Sequence, residues 1–483
     1  MRRAVLAVLA LAFVLAAPAA AFTPTDPLAA KQWYLEQDHA FDAWAEPPTV
    51  LQPVTVAIVD SGVDCSLADF KGRIVDAHSF VGGDPCMDTE GHGTFIAGVI
   101  AANLDGQGIV GLAYTSQLLV AKVVKPDGTI PLQAEANAIR WAADNGAKVI
   151  NLSLGGVRDP VHLNRDTFSQ VEAEAVAYAY AKGAVLVAAV GNGDEAFSQP
   201  WPYASYPAAL PHVIGVSALT ESGNVPDYSN RDSVFNDLAA PGSGIYSTFP
   251  LALTAERPLC ADQGYSDCGT EDYRDPEGTS FAAPQVSAAA AVLFASVPTL
   301  TNAQVTTLLE HTADDVNAAT GCGKCRLLRD AYSGWGRLDV AKALAAATAG
   351  PIPVADRYET NDDAGTQAHT LWGKRAAVTA SLDYYDDPLD VYRVALGPRE
   401  RLTAKIQGAW SGAQVRLTLW KPGTRRIDDT PKGKPLRAAQ SAIPGSVQRV
   451  AFTAPVRGWY YVEVKVASPG FGAYTLQLDK TLK

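Results

Sequence analysis

Methionine occurs twice and cysteine six times in the 483 residues, and charged side chains make up only 19% of the chain. Basic charge is the scarcer kind: 39 Lys and Arg face 51 Asp and Glu, a formal net charge of −12 at pH 7. Nucleic-acid-binding surfaces concentrate Lys and Arg, so this acidic balance argues against a nucleic-acid partner. Forty glycines and 31 prolines carry no triplet period, which excludes a collagen-like or low-complexity chain. Beyond the N-terminus no run approaches the roughly 18 consecutive apolar residues of a membrane-spanning helix. Hydrophobic residues, at 48%, are plentiful enough to build sizeable cores. At about 150 residues per domain, the length predicts about three folding units.

Residues 1–21 have the layout of a secretory signal: Arg2 and Arg3, an apolar run from Ala4 to Leu15, then Ala19-Ala20-Ala21 as a small-residue cleavage site. The run is short for a span of about 20 residues, so the expectation is an exported chain with no stable membrane anchor. An even number of cysteines in an exported chain favours disulfides. Sequence proximity suggests Cys65–Cys86, Cys260–Cys268 and Cys322–Cys325, although spacing alone does not set connectivity. Cys322-Gly-Lys-Cys325 also fits half a zinc site or a redox pair, but no second close pair accompanies it.

From about Pro53 to Ala346, short apolar runs alternate with helical stretches. Val54–Asp60, Leu118–Val124, Lys148–Leu154, Ala184–Val190 and Val213–Leu219 read as strands covered on both faces. Gly93–Ala102, Leu132–Asn145 and Gln170–Lys182 read as helices between them. This alternation predicts an α/β fold with a mainly parallel sheet covered by helices on both faces, its sites at the carboxyl ends of the strands. Val340–Ala346 reads as a last helix and residues 347–355 as a linker rich in Gly and Pro. Residues 356–483 then alternate apolar and polar at period two in Arg401–Gln407, Val415–Trp420, Gln448–Thr453, Trp459–Val466 and Tyr474–Leu478. That pattern predicts a small antiparallel β-sandwich.

Three segments pair a reactive side chain with glycine or other small residues. Val56-Ala-Ile-Val-Asp60-Ser-Gly62 ends a strand at a carboxylate, which alone is more commonly a turn or helix cap. Gly91-His92-Gly93-Thr94 starts a helix at a histidine, where a structural role is the commoner one. Gly278-Thr279-Ser280-Phe281-Ala282-Ala283-Pro284 puts a serine at a helix start, a position usually taken by an N-cap but also suited to a nucleophile whose intermediate is negatively charged. Together, in the order Asp, His, Ser, they supply an orienting carboxylate, a general base and a nucleophile.

With the stretches VAIVDSGVD, GHGTFIAGVIA, VINLSLGG, AAVGNGD and GTSFAAP, the chain resembles the subtilisin-like serine proteases over roughly residues 24 to 346. The resemblance implies a secreted serine endopeptidase acting on proteins or peptides through Asp60, His92 and Ser280, with Asn192 and the Ser280 N–H as oxyanion donors. It implies a substrate strand at Ser153, Leu154 and Gly155, and a specificity pocket walled by Gly155 and Gly191 with Ser205 at its base. Ser205 stands where glycine is expected, making the pocket shallower and favouring medium apolar or aromatic side chains. Asp194 would instead suit a basic one. Tyr206–Pro207 is a candidate cis peptide. A structural Ca²⁺ is implied at Asp26, Asp69, Asn103, Asp105, Gln107 and Ile109, because carboxylates and carbonyls are its preferred ligands. The chain departs from many secreted relatives in having only 38 residues between Ala21 and Asp60, with no recognisable long pro-domain.

Asp356-Arg-Tyr-Glu359-Thr-Asn361-Asp362-Asp363 and Tyr385-Asp386-Asp387-Pro-Leu-Asp390-Val-Tyr392 resemble the bacterial pre-peptidase C-terminal domain. Their clustered acids fit either a second Ca²⁺ or a solvated face. Two of the three aromatics Trp459-Tyr-Tyr461 are expected to pack in the core at period two. The chain is expected to be a monomer. The alternative function is a catalytically inactive exported binding or adhesion protein that uses the sandwich.

Overall fold

Strands buried on both faces need unbroken apolar runs, and such runs build the first sheet. The computed structural model describes residues 22–44, 51–193, 196–327, 329–349, 356–358, 361–384, 387–411, 414–427, 430, 434–442, 447–468 and 470–482. The expected signal (1–21), Asp194, Glu359, Tyr385, Asp386 and positions 350–355 of the expected linker lie outside the described residues. Seven strands, β1 (Thr55–Asp60), β2 (Ile74–Ser79), β3 (Gln117–Lys122), β4 (Val149–Leu152), β5 (Val185–Ala189), β6 (Val213–Leu219) and β7 (Leu238–Pro241), form one parallel sheet. Their order is β2-β3-β1-β4-β5-β6-β7. Alternate residues go to opposite faces. Val56, Ile58, Leu118 and Val187 meet the helices of one layer, while Ala57, Val59, Leu119 and Leu186 meet the other.

Two short helices, α1 (Trp33–Gln37) and α2 (Ala40–Ala43), lie in the N-terminal arm. They are followed by α3 (His92–Ala101), α4 (Leu132–Asp144), α5 (Gln170–Ala181), α6 (Leu251–Thr254), α7 (Thr279–Ser296), α8 (Asn302–His311) and α9 (Val340–Ala349). The arm, α3, α7, α8 and α9 cover one face, and α4 and α5 cover the other. Among the described residues α7 alone is long and apolar enough to cross a membrane. It is instead the buried central helix, apolar all round, and its run Ala288–Ala291 is small enough for close approach to the sheet.

The C-terminal strands are β8 (His369–Thr370), β9 (Arg375–Asp383), β10 (Leu389–Leu396), β11 (Glu400–Ser411), β12 (Val415–Trp420), β13 (Arg437–Gln440), β14 (Val447–Thr453), β15 (Gly458–Val466) and β16 (Phe471–Leu482). They form two sheets, β13-β12-β15-β10-β8 and β14-β11-β16-β9. Val378, Tyr392, Leu417, Val462 and Leu476 pack between them. Among the described residues all pairs are antiparallel except β8, which runs parallel to β10.

Several expectations shift. Helix α9 continues to Ala349, past the expected end at Ala346, because Ala347-Thr-Ala349 contains no breaker. Strand β2 escapes the apolar-run pattern because it is an edge strand with Val75, Asp76 and His78 turned outward or half covered. Of the three aromatics in β15, Tyr460 and Tyr461 are the buried pair and Trp459 is exposed. Period two fails there because Tyr461 faces a second cluster with Leu389 and Val391, so both faces of β15 are covered.

Candidate active site

The site gathers where neighbouring parallel strands end. Asp60 is the last residue of β1, which lies between β3 and β4. Ser153 follows β4, Asn192 lies three residues beyond β5, and Ser280 is in the first turn of α7. Helix α3 opens at His92 after Gly91, whose φ of 96° suits glycine. Gly93 is equally constrained, since a Cβ there would sit 2.0 Å from the Gly62 carbonyl oxygen and 3.2 Å from the Asp60 Cβ. The absent side chain is what lets the imidazole lie against Asp60.

His92 Nδ1 is 2.8 Å from Asp60 Oδ1 and 3.0 Å from Oδ2. Asp60, 2% exposed, also accepts from the Ser61 N–H at 2.7 Å. A carboxylate on Nδ1 fixes the tautomer that leaves Nε2 able to accept a proton. Burial by itself would depress the imidazole pKa, but the charge and hydrogen bond of Asp60, with Asp88 and Glu90 adding, hold it above its ordinary value.

Behind this pair lies a network that motif reading missed. Asp88 accepts from the N–H groups of Glu90, Gly91 and Thr94 and from the hydroxyls of Ser61 and Thr94, at 2.6 to 3.1 Å. Ser61 Oγ in turn accepts from the Gly93 N–H at 2.9 Å, and Lys122 Nζ donates to the Ser61 carbonyl. Asp88 therefore holds the whole Glu90–Thr94 turn onto β1. Its position four residues before His92 was the available signal.

Ser280 Oγ donates to the Ser153 carbonyl at 3.2 Å, and Ser153 Oγ donates to the Ser280 carbonyl at 2.8 Å. Among the described residues no hydrogen bond joins Ser280 to His92, so the hydroxyl is parked on the β4 side. Buried Asn151 and Ser287 extend the link between β4 and α7, through Asn151 Nδ2 to Ser153 Oγ at 2.9 Å and Ser287 Oγ to Asn151 Oδ1 at 2.8 Å. Asn192 is oriented by its carbonyl. Its Oδ1 accepts from the Thr279 N–H and Thr279 Oγ1, both at 2.9 Å. An amide whose oxygen is taken by a backbone N–H presents its nitrogen as donor beside Ser280.

A cavity of about 190 Å³ adjoins Ser280, lined by Leu154, Gly155, Gly191, Asn192, Ser205 and Trp201 among others. The Gly156 and Tyr206 backbones exchange two hydrogen bonds of 2.9 Å. A Cβ on Gly155 would meet the Tyr206 carbonyl at 2.6 Å, and one on Gly191 would meet Ser205 Oγ at 2.3 Å. The two glycines are thus the walls and Ser205 sits between them. Asn230, which sequence reading missed, donates to Ser205 Oγ at 3.3 Å and to the Val190 carbonyl at 2.9 Å. The Tyr206–Pro207 bond is cis, as is Gln199–Pro200.

The three disulfides are Cys65–Cys86, Cys260–Cys268 and Cys322–Cys325, so the last is neither a zinc half-site nor a free dithiol. At the expected cation loop, Asp26 Oδ1 accepts from the Asp105 and Gly106 N–H groups, each at 3.1 Å. Its buried Oδ2 has no partner among the described residues. Asp69 accepts from the Tyr265 hydroxyl at 2.9 Å, and Asp105 caps the Gln107 N–H at 3.1 Å. The Asn103 side chain is occupied by Arg73 at 2.6 Å, leaving its carbonyl as the group for a cation, and only carbonyls are asked of Gln107 and Ile109. Burial raises the pKa of Asp26 and Asp69, and the charge of Asp105 adds in each case. In the sandwich, carboxylate oxygens of Asp362, Asp387 and Asp390 lie within 4.8 Å of one another and all three residues are buried. The solvated-face alternative for those acids is therefore wrong.

Residues 52–336 match the Subtilase family, peptidase S8. The chain is 34% identical over 301 residues to thermitase of Thermoactinomyces vulgaris, covering 61% of this chain and 93% of that protein. It is 36% identical over 472 residues to a cell wall-associated protease of Bacillus subtilis strain 168, covering 90% of this chain but 48% of that protein, about half its length. The structure of sphericase aligns with a TM-score of 0.51 at 30% identity, over 64% of this chain and 97% of that one. The chain belongs to the Subtilase family of serine endopeptidases.

Proposed function

We propose that this chain is exported, loses residues 1–21 and acts outside the cell as a monomeric serine endopeptidase on proteins or peptides. The observation that carries the endopeptidase reading is the Asp60–His92 pair, with the imidazole 5.7 Å from the Phe281 ring next to helix-borne Ser280, and the oriented Asn192 amide beside it. A rotation about χ1 takes Ser280 Oγ from the Ser153 carbonyl toward His92 Nε2. His92 then removes the hydroxyl proton as Oγ attacks the scissile carbonyl carbon. The carbonyl oxygen becomes an oxyanion, held by Asn192 Nδ2 and the Ser280 N–H at the start of α7, where helix N–H groups have no internal partner. His92 returns the proton to the leaving amine, and the peptide bond breaks to leave an acyl-enzyme. Water, deprotonated by His92, then hydrolyses the ester and restores Ser280. Peptide backbone would lie along Ser153–Gly155, with the side chain before the cut in the cavity ending at Ser205.

A fluorophosphonate probe is expected to label Ser280, and Ser280→Ala to abolish casein hydrolysis without unfolding the chain. Casein cleavage persisting in that variant, or no label on the folded wild type, would overturn the assignment. The alternative of an inactive adhesion protein predicts no label. Ca²⁺ would be held by Asp26, Asp69 and Asp105 with carbonyls of Asn103, Gln107 and Ile109. Unpartnered Asp26 Oδ2 supports this, and the ion would neutralise three neighbouring acids and tether the N-terminal arm. Residues 22–346 would form the peptidase unit, continued by α9 to Ala349, with 356–483 a pre-peptidase C-terminal domain. The buried Asp362, Asp387 and Asp390 support a second Ca²⁺ there.

A further inference from the structure

The C-terminal sandwich packs one residue behind the cavity beside Ser280, whose own lining comes entirely from the peptidase unit. Tyr206 follows the pocket residue Ser205, and its backbone pairs with Gly156 on the facing wall. Its side chain, 1% exposed, is gripped at both ends by two consecutive arginines from the loop between β12 and β13. At the ring, the guanidinium of Arg426 lies 5.1 Å from the Tyr206 centroid and also against Phe168 at 5.6 Å and Phe235 at 5.4 Å. At the hydroxyl, Tyr206 donates to Asp166 Oδ1 at 3.1 Å, and Asp166 Oδ2 pairs with Arg425 Nη2 at 3.2 Å. Arg426 is itself 1% exposed, donates Nη2 to the Ala209 carbonyl and pairs through Nε with Asp363 Oδ2 at 3.2 Å. Asp363 also accepts from the Ile427 N–H at 2.9 Å, which fixes the loop that carries both arginines.

A guanidinium leaves water at a large desolvation cost, and partners from two separately wrapped units must therefore meet in one geometry for it to be buried. Further contacts repeat the junction: Asp362 Oδ2 with buried His212 Nε2 at 2.9 Å, Thr430 N–H with the Pro160 carbonyl at 3.1 Å, and Gln170 Nε2 with Thr366 Oγ1 at 2.6 Å. An appendage on a free tether would not bury an arginine in its neighbour's core. We propose that Arg426 is a positioning residue for the substrate pocket, and that the docked sandwich is a resident wall of the enzyme which holds Ser205–Tyr206 against the Gly155 strand. The proposal rests on the endopeptidase reading of Ser280 and adds to it where the pocket's rigidity comes from.

The test uses the full chain and peptide p-nitroanilides with an aromatic side chain before the cut. Arg426→Met keeps the length of the side chain but removes the guanidinium. It is expected to raise KM about tenfold while changing kcat less than about threefold, since a displaced pocket wall loses binding before it loses the triad. Arg426→Lys, which keeps the charge, is expected to recover part of the loss. A folded Arg426→Met protein with wild-type KM would overturn the proposal while its fluorophosphonate label left the endopeptidase reading intact. A wild type that takes no label would overturn that reading instead. If Arg426→Met accumulates unfolded, Asp363→Asn removes the partner carboxylate without opening a cavity. A KM rise of about threefold or more supports the proposal, and an unchanged KM overturns it. A protease site placed between residues 350 and 355 gives a second measurement. After cutting, the two pieces are expected to co-elute, and their separation with KM unchanged would overturn the proposal.

Discussion

As general base in the proposed mechanism His92 works only when neutral, so activity is expected to fall as pH drops through its pKa. Burial opposes its protonation, but Asp60, Asp88 and Glu90 together raise that pKa above the usual imidazole value. The acid limb of kcat/KM is therefore expected above about pH 6.5. Glu90→Gln removes one of the charges that favour imidazolium, so the limb should move to lower pH, and an unmoved limb would show that Glu90 does not act on His92. Asn192 invites a second measurement. Replacing it with Ala leaves Thr279 without its acceptor and the proposed oxyanion with the Ser280 N–H as its one remaining donor. A loss of about 10²–10³ in kcat is expected, the size measured when a subtilisin loses such an amide. A loss below tenfold would move the oxyanion site elsewhere.

Among the elements, α3 and β1 must hold Asp60 and His92 in register, and the Cys65–Cys86 bridge closes the loop between them across 21 residues. In the chain-entropy picture such a closure contributes about 3 kcal/mol. Replacing both cysteines with alanine should lower the denaturation midpoint accordingly, and an unchanged midpoint would mean that the Asp88 network alone holds the loop. The elements legible in sequence were those buried on both faces, β1 and β3 to β6, because burial leaves an unbroken apolar run. Edge strand β2 was illegible because its exposed residues break such a run, and β7 because its buried run Leu238–Pro241 is only four residues long and ends at proline. Along β15 the period was misleading, since a second cluster covers the face that alternation assigns to solvent.

At the scale of the molecule, the N-terminal arm, the loop at Asn103–Ile109 and the Cys260–Cys268 segment meet around Asp26, Asp69 and Tyr265. If Ca²⁺ binds there, chelation should lower Tm. At free calcium about 100 times Kd the ion contributes about 2.7 kcal/mol, or roughly 3–4 °C for a unit of this size. Asp69→Ala should remove most of that calcium dependence, and a Tm indifferent to EGTA would dismiss the ion.

The sequence alone proposed the candidate residues of the site, because a reactive Asp, His or Ser needs small neighbours at a strand or helix end and those signatures are local. It also suggested the disulfide pairs by proximity, which the folded chain then fixed, and it predicted the two fold classes, which follow from period. Only the tertiary structure decided what stands behind those residues. Asp88 beneath His92, Asn230 at Ser205 and Arg426 against Tyr206 act across folded space. No spacing rule links residue 426 to residue 206, and a buried arginine looks in sequence like any surface one. The scarce charge noted at the outset thus divides in two: part of it is surface, and part is buried where it organises the catalytic turn, the acidic clusters and the seam between the sheets.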